Sequence, residues 1–176
     1  MSWRFENLLL SGNEWMVESW SVELPDGITM SARERQAVWE TKCYVDALDL
    51  LFHGESAEAA AIFEDLFHTA DDLRMRPIYA LGLASAEYGR GMESEAERAM
   101  MHAEHTLRGI ASPLYRARAA AALVAILRYL GDRARAVEWE SYVHGLPCPK
   151  ATKDVFLERA ELIEERCSTL GRTIVL

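Results

Sequence analysis

The chain has little of what marks a secreted, membrane-spanning or nucleic-acid-binding protein. Its three cysteines, Cys43, Cys148 and Cys167, stand far apart, with no CxxC pair and no even-numbered framework. That is the usage of a reducing compartment. No window approaches the roughly 18 consecutive apolar residues that a membrane helix needs. The opening Met-Ser-Trp-Arg-Phe-Glu leads into a short apolar run with no small-residue cleavage site, so it does not read as a secretory signal. Basic residues number 19 against 28 acidic ones, for a formal net charge of -9. Phosphate binding by counterion release needs clustered Lys and Arg, which excludes nucleic acid as the expected partner. The expectation is a cytoplasmic protein without membrane insertion, whose acidic surface suits solubility and a basic or amphipathic partner.

Glycine (10) and proline (5) are also scarce, and they fall mostly between periodic segments. Half of the residues are apolar and the mean hydropathy is -0.10, enough to offset the entropy of ordering and exclude a disordered chain. A length of 176 residues suits one domain. Richness in Ala, Leu, Glu and Arg, with few β-branched runs, predicts an all-α fold.

Helix punctuation divides the chain. Ser31 and Glu34 form a capping box, and apolar positions from Ala37 to Leu51 recur at helical spacing until Gly54. Ser56 caps a second helix with Ala59, Ala60, Ile62, Phe63, Leu66 and Phe67 on its apolar positions. Asp71-Asp72 opens a third that runs to about Tyr88, before Gly89 and Gly91. Ser94 caps a fourth, ending near Gly109. Ser112-Pro113 starts a fifth that reaches Leu130, with Gly131 as its stop. A sixth fills about 133–144, and the last runs from Thr152 to about Leu170. Seven helices therefore follow residue 30, joined by short loops that pack neighbours antiparallel. Residues 1–30 form a separate apolar and aromatic extension, and only Trp15 to Leu24 has any strand-like alternation.

Three glycines align across alternate helices. Gly54-Glu-Ser-Ala-Glu-Ala59, Gly91-Met-Glu-Ser-Glu-Ala96 and Gly131-Asp-Arg-Ala-Arg-Ala136 each set an alanine five residues after a glycine, and the glycines are 37 and 40 residues apart. The glycine permits a turn and the alanine a close approach of two helices. A helix pair repeating at about this period is the mark of an α-solenoid.

On these residues the chain resembles the tetratricopeptide repeat family. Ala47, Gly54, Ala59 and Phe63 fit its pattern in a first unit. Leu83, Ala84, Gly91, Ala96, Met100 and Ala103 fit in a second, and Leu123, Leu127, Gly131 and Ala136 in a third. The units are longer than the family's usual repeat. Asp46 and Glu87 fall on expected core positions, and Val124 and Glu140 also depart from the pattern. The resemblance covers residues 37–145. It implies a right-handed solenoid of about three helix pairs across residues 31–176, with a capping helix at 153–170.

Chemistry-bearing clusters are thin. His102 and His105 lie three apart on one helix, and Asp65 and His68 form a similar pair, but a metal site needs three or four ligands. A nucleophile elbow, a phosphate-cradling loop and a zinc-protease motif are all absent. The expectation is a non-enzyme with no cofactor and no metal.

The resemblance implies a concave groove lined by the first helix of each pair: Tyr44, Leu48, Leu51 and Phe52, then Ile78, Leu81, Ser85 and Tyr88, then Arg118, Ala125, Arg128 and Tyr129. Leu48 and Leu81 could equally pack inward, whereas Tyr88, Arg128 and Tyr129 are expected to be exposed. Such a surface suits an extended or helical peptide with apolar anchors. Trp3, Phe5, Trp15, Trp20 and Leu8-Leu9-Leu10 crowd apolar area outside the repeats, and would cap the first repeat, occupy a neighbour's groove or make a homodimer contact. The apolar tail Ile174-Val175-Leu176 raises the same alternatives. Together these features are similar to the tetratricopeptide class of type III secretion chaperones, which hold export substrates in the bacterial cytoplasm. A regulatory peptide-sensing repeat domain and an acidic immunity or inhibitor protein are the alternatives.

Overall fold

The computed structural model describes residues 31–170, with side chains described over 31–161. Regular structure among the described residues is entirely helical: α1 (Ala32–Phe52), α2 (Ser56–Thr69), α3 (Arg76–Gly89), α4 (Glu93–Arg108), α5 (Pro113–Tyr129), α6 (Arg133–Gly145) and α7 (Lys150–Leu170). The chain divides into two units, Met1–Ser31 and Ala32–Leu176. The expectations for Trp3, Phe5, Trp15, Trp20, the alternating stretch 15–24 and the tail 174–176 lie outside the described residues.

Each helix packs on the next in sequence, and each odd-numbered helix also packs on the next odd one, α1 on α3, α3 on α5 and α5 on α7. No described helix packs on one more than two places away. Helices α3 and α5 thus each meet four others. Their sequences answer to that position. Pro77 to Gly82 and Ala84 to Ala86 are all buried in α3. In α5, Ala117, Ala119, Ala120, Ala121 and the whole run Leu123 to Leu127 are buried. A helix apolar on every side has to be surrounded, because no face of it suits water. The even-numbered helices bury one stripe each, such as Ala96, Ala99, Met100, Ala103 and Leu107 in α4.

The three aligned glycines make one and the same turn. Gly54, Gly91 and Gly131 have φ of 80°, 75° and 82°. The glycine amide donates to the carbonyl three residues back (Leu51, Tyr88, Arg128) at 2.9–3.1 Å, and the following amide donates to the carbonyl five back (Leu50, Glu87, Leu127) at 2.9 Å. This paired bonding satisfies carbonyls that a helix end leaves open. A Cβ on any of the three would meet nothing within 4 Å, so the left-handed backbone alone selects glycine there. Ala59, Ala96 and Ala136, five residues on, are all buried. Gly82 serves a different purpose: a Cβ there would lie 2.4 Å from the Phe63 ring, so its hydrogen lets α2 lie close against α3.

Several expected helix starts shift. Ser56 lies inside α2 as its first residue and is buried, without the capping bond. Asp71 and Asp72 precede α3 by a turn, where Asp72 accepts from the Arg74 amide and guanidinium, and Pro77 sits in the first helical turn instead. Ser94 is the second residue of α4, and Ser112 is positioned as a cap of α5 without a side-chain bond. Asp132, unremarked in the sequence, does cap α6 by accepting from the Arg135 amide at 3.2 Å. Buried Glu40 accepts from Gln36 at 2.9 Å and from the Asp71 amide at 3.1 Å, tying α1 to the turn before α3.

Candidate partner-binding surface

The twelve side chains expected to line a groove separate into two groups. Tyr44, Ile78, Leu81 and Ser85 are buried, and so are Leu51 and Ala125. Leu81 follows the inward alternative left open for it, whereas burial of Tyr44, Leu51, Ile78, Ser85 and Ala125 departs from the groove expectation. Odd helices that pack on each other use this face for the contact, so its middle belongs to the core. Tyr44 sits edge-on to Phe63 at 6.1 Å and tilted against Tyr79 at 5.8 Å, and burial raises its pKa. Ser85 satisfies its hydroxyl within its own helix by donating to the Leu81 carbonyl at 2.9 Å, which lets a polar residue occupy a dry site.

The accessible group lies at the C-terminal ends of the odd helices. Phe52 is 60% exposed, and Leu48, Tyr88 and Tyr129 are half-buried. Phe52, Tyr88 and Tyr129 stand two or three residues ahead of Gly54, Gly91 and Gly131, so each of α1, α3 and α5 carries an aromatic ring in its last turn. Tyr88 and Tyr129 meet edge to face across two helices, with ring centres 6.0 Å apart. Arg128 does not project freely as expected. Its Nη2 donates to Glu140 of α6 at 2.8 Å, and Nη1 lies 3.8 Å from Glu161 of α7. The pairing also accounts for Glu140 at a position where the repeat pattern asks for an apolar residue. Arg118 is half-buried on α5, and its Nη1 is shut off from solvent.

The even helices meet one another through long side chains. Arg135 of α6 donates to Glu97 and Glu104 of α4 at 2.8 and 2.7 Å, and the Trp139 indole donates to Glu104 at 3.3 Å. Burial works against the Arg135 cation, yet the two carboxylates outweigh it and raise its pKa. Phe67 of α2 stacks on His102 of α4 at 5.7 Å, beside a cleft of about 200 Å³ that Glu64, His68, Leu83 and Arg98 also line. The sequence pairs His102 with His105 and Asp65 with His68. The fold instead brings His102 and His68 to one cleft, a pairing that no spacing along the chain could reveal. Among the described residues no three His, Cys, Asp or Glu side chains gather as a metal site, and no helix is long and apolar enough to cross a membrane. Cys43 and Cys148 are free thiols, and burial raises the pKa of Cys43.

Comparison of the chain with protein-family models, curated proteins and solved structures finds no match. The functional reading accordingly rests on the side chains themselves.

Proposed function

We propose that this protein is a non-catalytic binding module, a chaperone or adaptor that holds a segment of a partner protein against the ends of its odd-numbered helices. The observation that carries the reading is the set of Phe52, Tyr88 and Tyr129, aromatic side chains kept partly open within three residues of the same glycine turn on three helices, with Tyr88 and Tyr129 in edge-to-face contact. Rings of this kind offer large contact area at small entropic cost, and they are the usual anchors of peptide recognition. The same reading takes α1 to α6 as three helix pairs of a short tetratricopeptide-like solenoid, with α7 as its cap. The three like turns and the restriction of packing to helices one or two places apart support it. The secretion-chaperone form of the proposal draws on architectural resemblance alone.

A pull-down of the tagged chain from its native cytosol, compared with a Phe52→Ala/Tyr88→Ala/Tyr129→Ala variant, tests it. Capture of one partner by the wild type and its loss in a variant that stays fully helical by circular dichroism is the expected result. Retention of that partner by the variant would move the binding surface elsewhere.

A further inference from the structure

Arg90, Arg98, Arg128 and Arg135 each hold a carboxylate at 2.7–2.9 Å. A second set of arginines recurs in pairs at the starts of the first three odd-numbered helices: Arg33-Glu-Arg35, Arg74-Met-Arg76 and Arg116-Ala-Arg118, 41 and 42 residues apart. Arg76 and Arg116 make no ion pair among the described residues, and the Nε of each has no hydrogen-bond partner. The sequence withholds carboxylates from their helices: no Asp or Glu occurs from Leu73 to Ala86 or from His105 to Gly131. Two carboxylates beside the start of α3 are already engaged, Asp72 by Arg74 and Glu40 by Gln36 and the Asp71 amide.

The starts of α3 and α5 lie at one edge. The Arg74 guanidinium stacks 4.5 Å over the Tyr115 ring there, and Tyr88 meets Tyr129 at the other ends, so the two helices run parallel with their ends matched. A helix N-terminus carries partial positive charge and favours an anion. Helices α1, α2 and α4 answer with a glutamate in the first turn, whereas α3 and α5 have no acidic residue there. Arg76 and Arg116 add to the partial charge instead of offsetting it. Leu73 and Leu114, each next in sequence to one member of the stacked pair, are exposed.

We infer that the edge formed by the starts of α3 and α5 docks an acidic segment of a partner protein, whose carboxylates meet Arg76 and Arg116 and whose apolar side chains cover Leu73 and Leu114. The net charge of the whole chain hides this edge, and at longer range repels a continuous polyanion. Exposed leucines interleaved with arginines match a peptide of mixed acidic and apolar side chains better than a ladder of phosphates. The surface lies at the opposite ends of α3 and α5 from Tyr88 and Tyr129, so the inference goes beyond the aromatic reading and does not depend on it.

The probe is a fluorescein-labelled peptide of repeated Glu-Glu-Leu units, titrated with the full chain and followed by fluorescence anisotropy, with single-stranded oligo-dT run beside it. Saturable binding of the peptide that weakens as salt rises, and weaker binding of oligo-dT, is the expected result. Arg76→Gln/Arg116→Gln should stay helical by circular dichroism and bind the peptide about tenfold more weakly. In the wild type the peptide should shift the amide resonances of residues 73–76 and 114–118, which locates the site independently of the variant's folding. Absence of saturable binding, equal binding by the folded variant, or shifts confined to other elements overturns the inference. Tighter binding of oligo-dT also overturns it, by making the edge a nucleic-acid surface. The Phe52/Tyr88/Tyr129 variant should bind the peptide as the wild type does, so a failure of the aromatic reading is separately visible.

Discussion

Helices α3 and α5 and helices α4 and α6 are built on opposite terms. The first two are buried nearly all round by Ala, Leu, Ile and Val, and meet their neighbours through close apolar contact. The second two bury one stripe, and reach each other through the half-buried Arg135, Glu97 and Glu104 and the buried Trp139. Apolar burial is worth about 25 cal/mol for each Å² removed from water, whereas an exposed ion pair contributes at most about 1 kcal/mol. Stability therefore resides in the odd helices. Their C-terminal ends keep the rings of Phe52, Tyr88 and Tyr129 partly open.

The contrast can be broken most sharply in the middle of α5. Leu123→Ala, at a fully buried position, should cost about 2–5 kcal/mol in urea unfolding, while Val137→Ala on the open side of α6 should fall within about 0.5 kcal/mol. Gly82→Ala forces a methyl against the Phe63 ring and should cost about 1–3 kcal/mol, with a lower Tm. Gly91→Ala meets no atom but holds a left-handed φ, and should cost about 1–2 kcal/mol. Equal losses at Gly82 and Gly91 after a Phe63→Leu change would show that close approach is not what Gly82 provides. Arg135→Ala, at partly exposed bridges, should cost about 1 kcal/mol or less, and the difference from wild type should shrink in high salt. The smallest effect at neutral pH belongs to Tyr79. Burial, then the nearby Glu40 charge, raise its pKa above the usual tyrosine value. The folded chain therefore holds a proton that the unfolded chain releases, and stability should fall as pH rises past about 10. Tyr79→Phe should flatten that alkaline decline.

The sequence makes the helices legible because their stops are chemical. Gly54, Gly91 and Gly131 announce a left-handed turn, and the alanines behind them announce close packing, so all seven helices fall near their expected places. Starts are less legible. A serine near the right spot, such as Ser56 or Ser94, need not cap, because neighbours that the sequence does not reveal decide whether its hydroxyl is drawn inward or left out. Exposure was legible at the aromatic helix ends and obscure in the middle of the helices. Leu81 and Ser85 share the helical face of Tyr88, and only the packing of α3 against four helices separates buried from open positions along that face.

The most direct test of the account places a photo-cross-linking residue, benzoylphenylalanine, at Tyr129 and separately at Val137 in the full chain within its native cells. The account predicts a discrete cross-linked partner from Tyr129, at the open end of an odd helix, and none from Val137, which is 61% exposed on α6. Cross-linking from Val137 with none from Tyr129 would contradict it, and would transfer the binding surface to the even-numbered helices.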